Sequence, residues 1–216
     1  MKTDAQLKQD VNAELNWEPS VNAAQIGVQV RDSIVTLTGH VDSYGEKWNA
    51  ERAAQRVCGV KALAVEIEVN LPALTQRNDA DIARTVENAL EWIVYLKKDS
   101  VKVMVEQGWV TLSGEVEWEY QRKTATAAMR YLMGVRGVSD QITIKPKATV
   151  VAIKASIESA LKRRAIIDSQ SIQVSVSGGD VTLSGSVQSW PERDMARHSA
   201  WGTPGVRHVI DNMTIV

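Results

Sequence analysis

The pentapeptide Val-Thr-Leu-Ser/Thr-Gly occurs three times, at 35–39, 110–114 and 181–185, and each copy sits in the same frame. A leucine precedes each motif valine at one constant distance, at Leu15, Leu90 and Leu161, and a Gly-Val pair follows each motif glycine at another, beginning at Gly59, Gly134 and Gly205. Between those leucines and glycines no copy needs a gap, so insertions are confined to the joins. Such a chain repeats one supersecondary unit three times. Its 216 residues divide into 1–70, 71–145 and 146–216, rather than the one or two domains that length alone suggests. Units of about 70 residues stand near the lower limit for an unassisted core, so contacts between repeats are expected to add stability.

Val-Thr-Leu alternates apolar, polar and apolar, which predicts a strand with one face on a core. The following Ser-Gly or Thr-Gly predicts a turn or bulge, because glycine alone enters such backbone positions without strain. Thr36, Thr38, Thr111, Ser113, Thr182 and Ser184 are therefore structural, and no Gly-x-Ser-x-Gly elbow surrounds them. Upstream, Leu7, Val11 and Leu15 recur at helical spacing, as do Ile82, Val86 and Leu90, and Ile153, Ile157 and Leu161. Thr3 or Asp4 and Thr149 are candidate caps. Alternating segments begin at Ile26, Val101 and Ser171, each turning back into its motif strand through a short polar turn. Second helices follow over about 46–57, about 120–132 and from Pro191, and a third strand closes each unit. The predicted fold is α+β: three αββαβ units, each a three-stranded mixed sheet under two helices with its other face open.

Charge excludes some functions. A formal net charge of −1 with 24% charged residues resembles neither a disordered chain nor an extended nucleic-acid-binding surface. Only residues 146–216 tilt basic, with 8 Lys or Arg against 6 Asp or Glu. One cysteine, Cys58, rules out an intrachain disulfide and a multi-cysteine metal site, and its place in Val57-Cys58-Gly59 predicts a small buried hydrophobe. His40, His198 and His208 share no metal-ligand spacing, and cofactor and catalytic motifs are absent, so neither an enzyme nor a cofactor is expected. No apolar run is long enough to span a membrane. The opening residues lack a secretory core, which predicts a cytoplasmic chain, or a periplasmic one whose signal was removed.

Seven Trp and four Tyr with no Phe give nearly every aromatic a polar handle, which suits half-buried or interfacial positions. Trp17 and Trp92 end the first helices of two repeats, where the third has Arg163. Trp118 and Trp190 stand at second-helix entrances, and Lys162-Arg163-Arg164 forms a basic cluster at a helix end. Such indoles serve packing between repeats or insertion into a lipid headgroup layer, and packing is the expected use. Glu117 and Glu119 flank Trp118 at what reads as a solvated helix entrance.

Together, the leading helix, Val-x-Leu-x-Gly, the alanine-spaced second helix and the Gly-Val corner resemble the BON domain, a bacterial module named for osmotically inducible periplasmic and nodulation-related proteins. The resemblance covers about 3–69, 78–144 and 149–215. Gly134-Val-Arg-Gly-Val-Ser-Asp140 and Gly205-Val-Arg-His-Val-Ile-Asp211 look like typical members; the first copy lacks the Asp or Asn found at Asp140, Asp211 and Asn212. The resemblance implies the αββαβ fold and a stress-related role in contacting phospholipid membranes or other hydrophobic ligands, with many relatives in the periplasm. It supplies no catalytic residues. Gly39, Gly59, Gly114, Gly134, Gly185 and Gly205 are then fold determinants. Trp17, Trp92, Trp118, Trp190, Lys162, Arg163 and Arg164 become candidate contacts to an anionic lipid surface or a protein partner. A protein-interaction or self-associating module and a small-ligand or ion sensor are the alternatives.

Overall fold

The computed structural model of the protein describes residues 2–144, 153–163, 171–203 and 205–216, without the side chains of residues 162 and 163. The first repeat comprises α1 (Asp4–Trp17), β1 (Ile26–Arg31), β2 (Ile34–Val41), α2 (Tyr44–Arg56) and β3 (Ala62–Val69). The second comprises α3 (Asp79–Glu91), β4 (Val101–Glu106), β5 (Trp109–Val116), α4 (Glu119–Ala128) and β6 (Gly137–Ile144). The third comprises α5 (Ile153–Arg163), β7 (Ile172–Ser177), β8 (Asp180–Val187), α6 (Trp190–Trp201) and β9 (His208–Ile215). Each unit is αββαβ: an antiparallel hairpin whose second strand lies in the middle and pairs parallel with the last.

The motif strand does what its alternation demands. Val35 with Leu37, Val110 with Leu112, and Val181 with Leu183 are fully buried. They meet the first-helix stripe and small second-helix residues such as Ala50, Ala53 and Ala54. Gly39, Gly114 and Gly185 have φ of 119°, 134° and 116°, and a Cβ on any of them would collide with the carbonyl of Gln25, Ser100 or Ser171 respectively. That close approach, repeated in three copies, explains the motif glycine. The corner glycines Gly59, Gly134 and Gly205 have φ of 103°, 86° and 89°, and turn the chain so that Val60, Val135 and Val206 enter the core.

The first helix clamps its own hairpin. Asp4 accepts from the N–H groups of Asp32 and Ser33 at 2.8 and 3.0 Å, and Asp79 accepts from Gln107 and Gly108 at 2.8 Å each. These contacts hold Asp32, Ser33 and Gln107 at positive φ, which non-glycine residues seldom adopt. The third turn uses Gly178-Gly179 instead. Thr3 caps α1, while the Thr149 cap lies outside the described residues.

The structure corrects three expectations. Cys58 is exposed, because the chain reverses at Gly59 and sends Val60 inward instead. Helix α4 stops at Ala128, its last turn tightening into bonds from Met129 to Thr126 and from Arg130 to Ala127, where Arg130 and Tyr131 meet the first repeat. Leu90 is only half buried. In the first repeat Val21 and Ala23 pack over the matching edge of the core; at the equivalent positions the second repeat has Leu96 and Lys98, and a cleft remains between α3 and β4.

Candidate functional site

The second helices join the repeats head to tail. Tyr44, Glu119 and Trp190 occupy the same first-turn position of α2, α4 and α6 in the repeat frame. At the 1–2 junction, Tyr44 packs against the core shared by repeats 2 and 3. Beside it Tyr131 covers Gly45, and the Arg130 guanidinium stacks 3.8 Å above the Trp48 ring centre. At the 3–1 junction, Trp190 packs on the first repeat's core and its indole N–H donates to the Val60 carbonyl at 3.0 Å, while Arg52 pairs with Asp194 at 2.6 Å. At the 2–3 junction, the entrance to α4 faces the end of α6 across a cleft lined by Trp118, Glu119, Lys123, His198 and Trp201. Head meets tail at each junction, which closes the three repeats into a circuit.

Glu119 departs from the solvated entrance predicted for it. Its side chain is 11% exposed, its Oε2 is buried without a hydrogen-bond partner among the described residues, and the cations paired with it, Arg122 and Lys123, stand at 3.7 and 3.9 Å. Burial raises its pKa above the ordinary carboxylate range, against the pull of Arg122, Lys123 and Arg197 and with a push from Asp140. Burial likewise raises Glu51 and Tyr44. The acids of the closing strands are structural: Asp140 binds Arg122 and Asp211 binds Arg193, each at 2.8 Å, and each also accepts a strand N–H two residues on. In the first copy Lys47 reaches the Ile67 carbonyl instead, at 2.8 Å.

The outer surface is different. Trp17 is 82% exposed and Trp92 86%, so neither packs between repeats; the junctions are made by second helices, and the first helices end away from them. Beyond Trp92 the chain also exposes Val94 and Tyr95. The Tyr95 ring meets Tyr120 edge-on with centres 5.7 Å apart, which joins this loop to the α4 entrance and half-exposed Trp118. Lys97 lies in the same loop, bound to Glu117 at 2.7 Å, followed by exposed Lys98.

Trp118 stands where the other repeats have a capping serine. Ser43 accepts from Glu46 N–H at 3.1 Å, and Ser189 from Glu192 N–H at 3.4 Å. In the second repeat Gln121 does the fastening alone, accepting from Glu117 and Trp118 N–H and donating to the Tyr95 carbonyl at 2.6 Å. A lost capping hydroxyl costs about 1 kcal/mol. Of the basic cluster, Arg164 and the side chains of Lys162 and Arg163 lie outside the described residues. The described residues contain no group of three or more His, Cys, Asp or Glu able to hold a metal ion, and no helix long and apolar enough to cross a membrane.

The BON domain pattern matches residues 3–70, 78–146 and 149–216. The chain belongs to the BON domain family. BON domains are non-enzymatic structural and binding modules. Among characterised proteins, the osmotically-inducible protein Y of Escherichia coli is 30% identical over 144 residues, spanning 63% of this chain and 72% of that protein. Solved structures with a distant likeness include the C-terminal domain of CdsD, a structural protein of the Chlamydia trachomatis type III secretion system, at 14% identity and TM-score 0.27 over 100% of both chains. Another is the periplasmic domain of the inner-membrane protein PrgH of S. typhimurium, at 15% identity and TM-score 0.24 over 94% of this chain and 99% of that one. Likeness this distant carries no argument about function.

The frame of each BON repeat was visible in the sequence, and the junctions were not. No local signal marked them: Tyr44, Glu119 and Trp190 differ at one frame position, but so do Gly45, Tyr120 and Pro191 beside them.

Proposed function

We propose that this BON protein is a non-enzymatic, stress-related binding protein that contacts phospholipid surfaces through its second repeat, with Trp92, Val94, Tyr95 and Trp118 entering the headgroup layer. The carrying observation is the exposed aromatic and aliphatic surface at the end of α3 and the entrance to α4. Trp and Tyr suit that layer because an apolar ring and a polar edge are satisfied there together. Repeat 2 forgoes a capping serine at Trp118 and a sealing alanine at Lys98, local departures of the kind that accompany function. Trp17 and the Lys162-Arg163-Arg164 cluster belong to the same proposal as secondary contacts, the cluster adding attraction to anionic lipid. Trp190 does not, since its indole is engaged by Val60. The stress setting draws on the osmotic induction in the relative's name, and an envelope compartment is part of the same reading.

Co-sedimentation with anionic vesicles tests it. Binding at low salt, a blue shift of tryptophan emission and weakening by added salt are expected; no binding and no shift would refute the reading. A second reading, a protein-interaction module, rests on the two edge strands of each three-stranded sheet, which can accept a further strand. It predicts association in sedimentation velocity or capture of a partner without vesicle binding.

A further inference from the structure

The three junctions use one position differently. Tyr44 and Trp190 fill it with an aromatic ring packed on a neighbouring core, and Glu119 fills it with a carboxylate. An ionised carboxylate at such a position needs several donors, yet Glu119 Oε2 is out of contact with water and has no hydrogen-bond partner among the described residues. Its paired cations stay beyond hydrogen-bond distance, Arg122 at 3.7 Å and Lys123 at 3.9 Å. Arg122 is committed to Asp140 at 2.8 Å. From α6, Arg197 faces it while pairing with Asp194 and Asp211 at 3.6 Å each, and His198 lines the same cleft. From β6, Asp140 adds a like charge. The environment therefore accommodates the neutral acid better than the anion.

We propose that the junction between the second and third repeats is a proton-operated latch, held closed when Glu119 is protonated and loosened when it ionises. A cleft already separates the α4 entrance from the end of α6, so loosening widens an existing opening and leaves the two aromatic junctions in place. The widened cleft uncovers Trp201, now 8% exposed, beside Trp118 and Tyr120. The sign follows from burial. The closed junction raises the pKa of Glu119, so its stabilisation is complete below the ordinary glutamic acid range and is lost as pH rises through the raised value. Closing raises the proton affinity of the carboxylate, and the closed-to-open ratio falls by that same factor as pH rises.

Hydrogen exchange on the full-length chain reads this directly. Protection of residues 119–124 and 198–202 in the wild type is compared with that in Glu119→Gln at the same pH, which cancels the intrinsic pH dependence of exchange. Glu119→Gln is expected to protect both segments several-fold better than wild type at about pH 8 and to match it within about twofold at about pH 4. His198→Gln serves as control, because His198 lines the same cleft. The latch is overturned if Glu119→Gln and wild type exchange alike at every pH, or if His198→Gln alone abolishes the pH dependence. Glu119→Tyr, which copies the first junction, is expected to close the cleft at all pH values; a pH-dependent cleft in that variant also overturns the proposal.

Discussion

Two sets of indoles occupy this protein, and they sit at opposite ends of its design. Trp190 and Trp201 lie at the junctions, one hydrogen-bonded to another repeat and the other 8% exposed. Trp17 and Trp92 end the first helices at 82% and 86% exposure. The repeat frame is the same beneath both. Second helices hold the three units together, and first-helix ends are left free to meet something else. The contrast assigns cohesion and contact to different elements, so substitutions should separate them.

The largest effect falls on the frame that both sets share. Gly185→Val places a Cβ against the Ser171 carbonyl at a φ of 116°, and a loss of at least about 3 kcal/mol is expected in chemical denaturation. A near-neutral Gly185→Val would mean that the motif glycine is not the close approach described. Next is the junction. Trp190→Ala removes an inter-repeat hydrogen bond and a half-buried ring, and should lower stability by about 2–3 kcal/mol while leaving vesicle binding of the folded protein unchanged. Loss of binding in a folded Trp190→Ala protein would merge the two sets. The smallest effect on stability is at the rim: Trp92→Ala should stay within about 0.5 kcal/mol of wild type, as an exposed substitution does.

Much of the fold was legible because repetition multiplies weak signals. Leu7, Val11 and Leu15 alone would suggest a helix; the same stripe at Ile82 and Val86, and again at Ile153, Ile157 and Leu161, fixes it. The motif valine and leucine were correctly read as core in all three copies. Legibility failed where a residue's environment comes from another repeat or from one backbone reversal. Glu119 looked solvated beside Glu117 and Trp118, since nothing local announces that α6 faces it. Cys58 looked buried beside Val57, but the positive φ of Gly59 decides which neighbour turns inward. The indoles shared a composition signal that could not sort Trp190 from Trp92. That sorting required knowing which helices pair.

The contact claim is tested most directly by titrating anionic vesicles into the wild type, Trp92→Ala and a Trp17→Ala/Trp92→Ala protein, all folded to the same extent. Stepwise weakening is expected, about tenfold for Trp92→Ala if one buried indole contributes about 1.4 kcal/mol, and further for the pair. Equal affinity in all three would contradict the assignment of the exposed helix-end indoles to membrane contact.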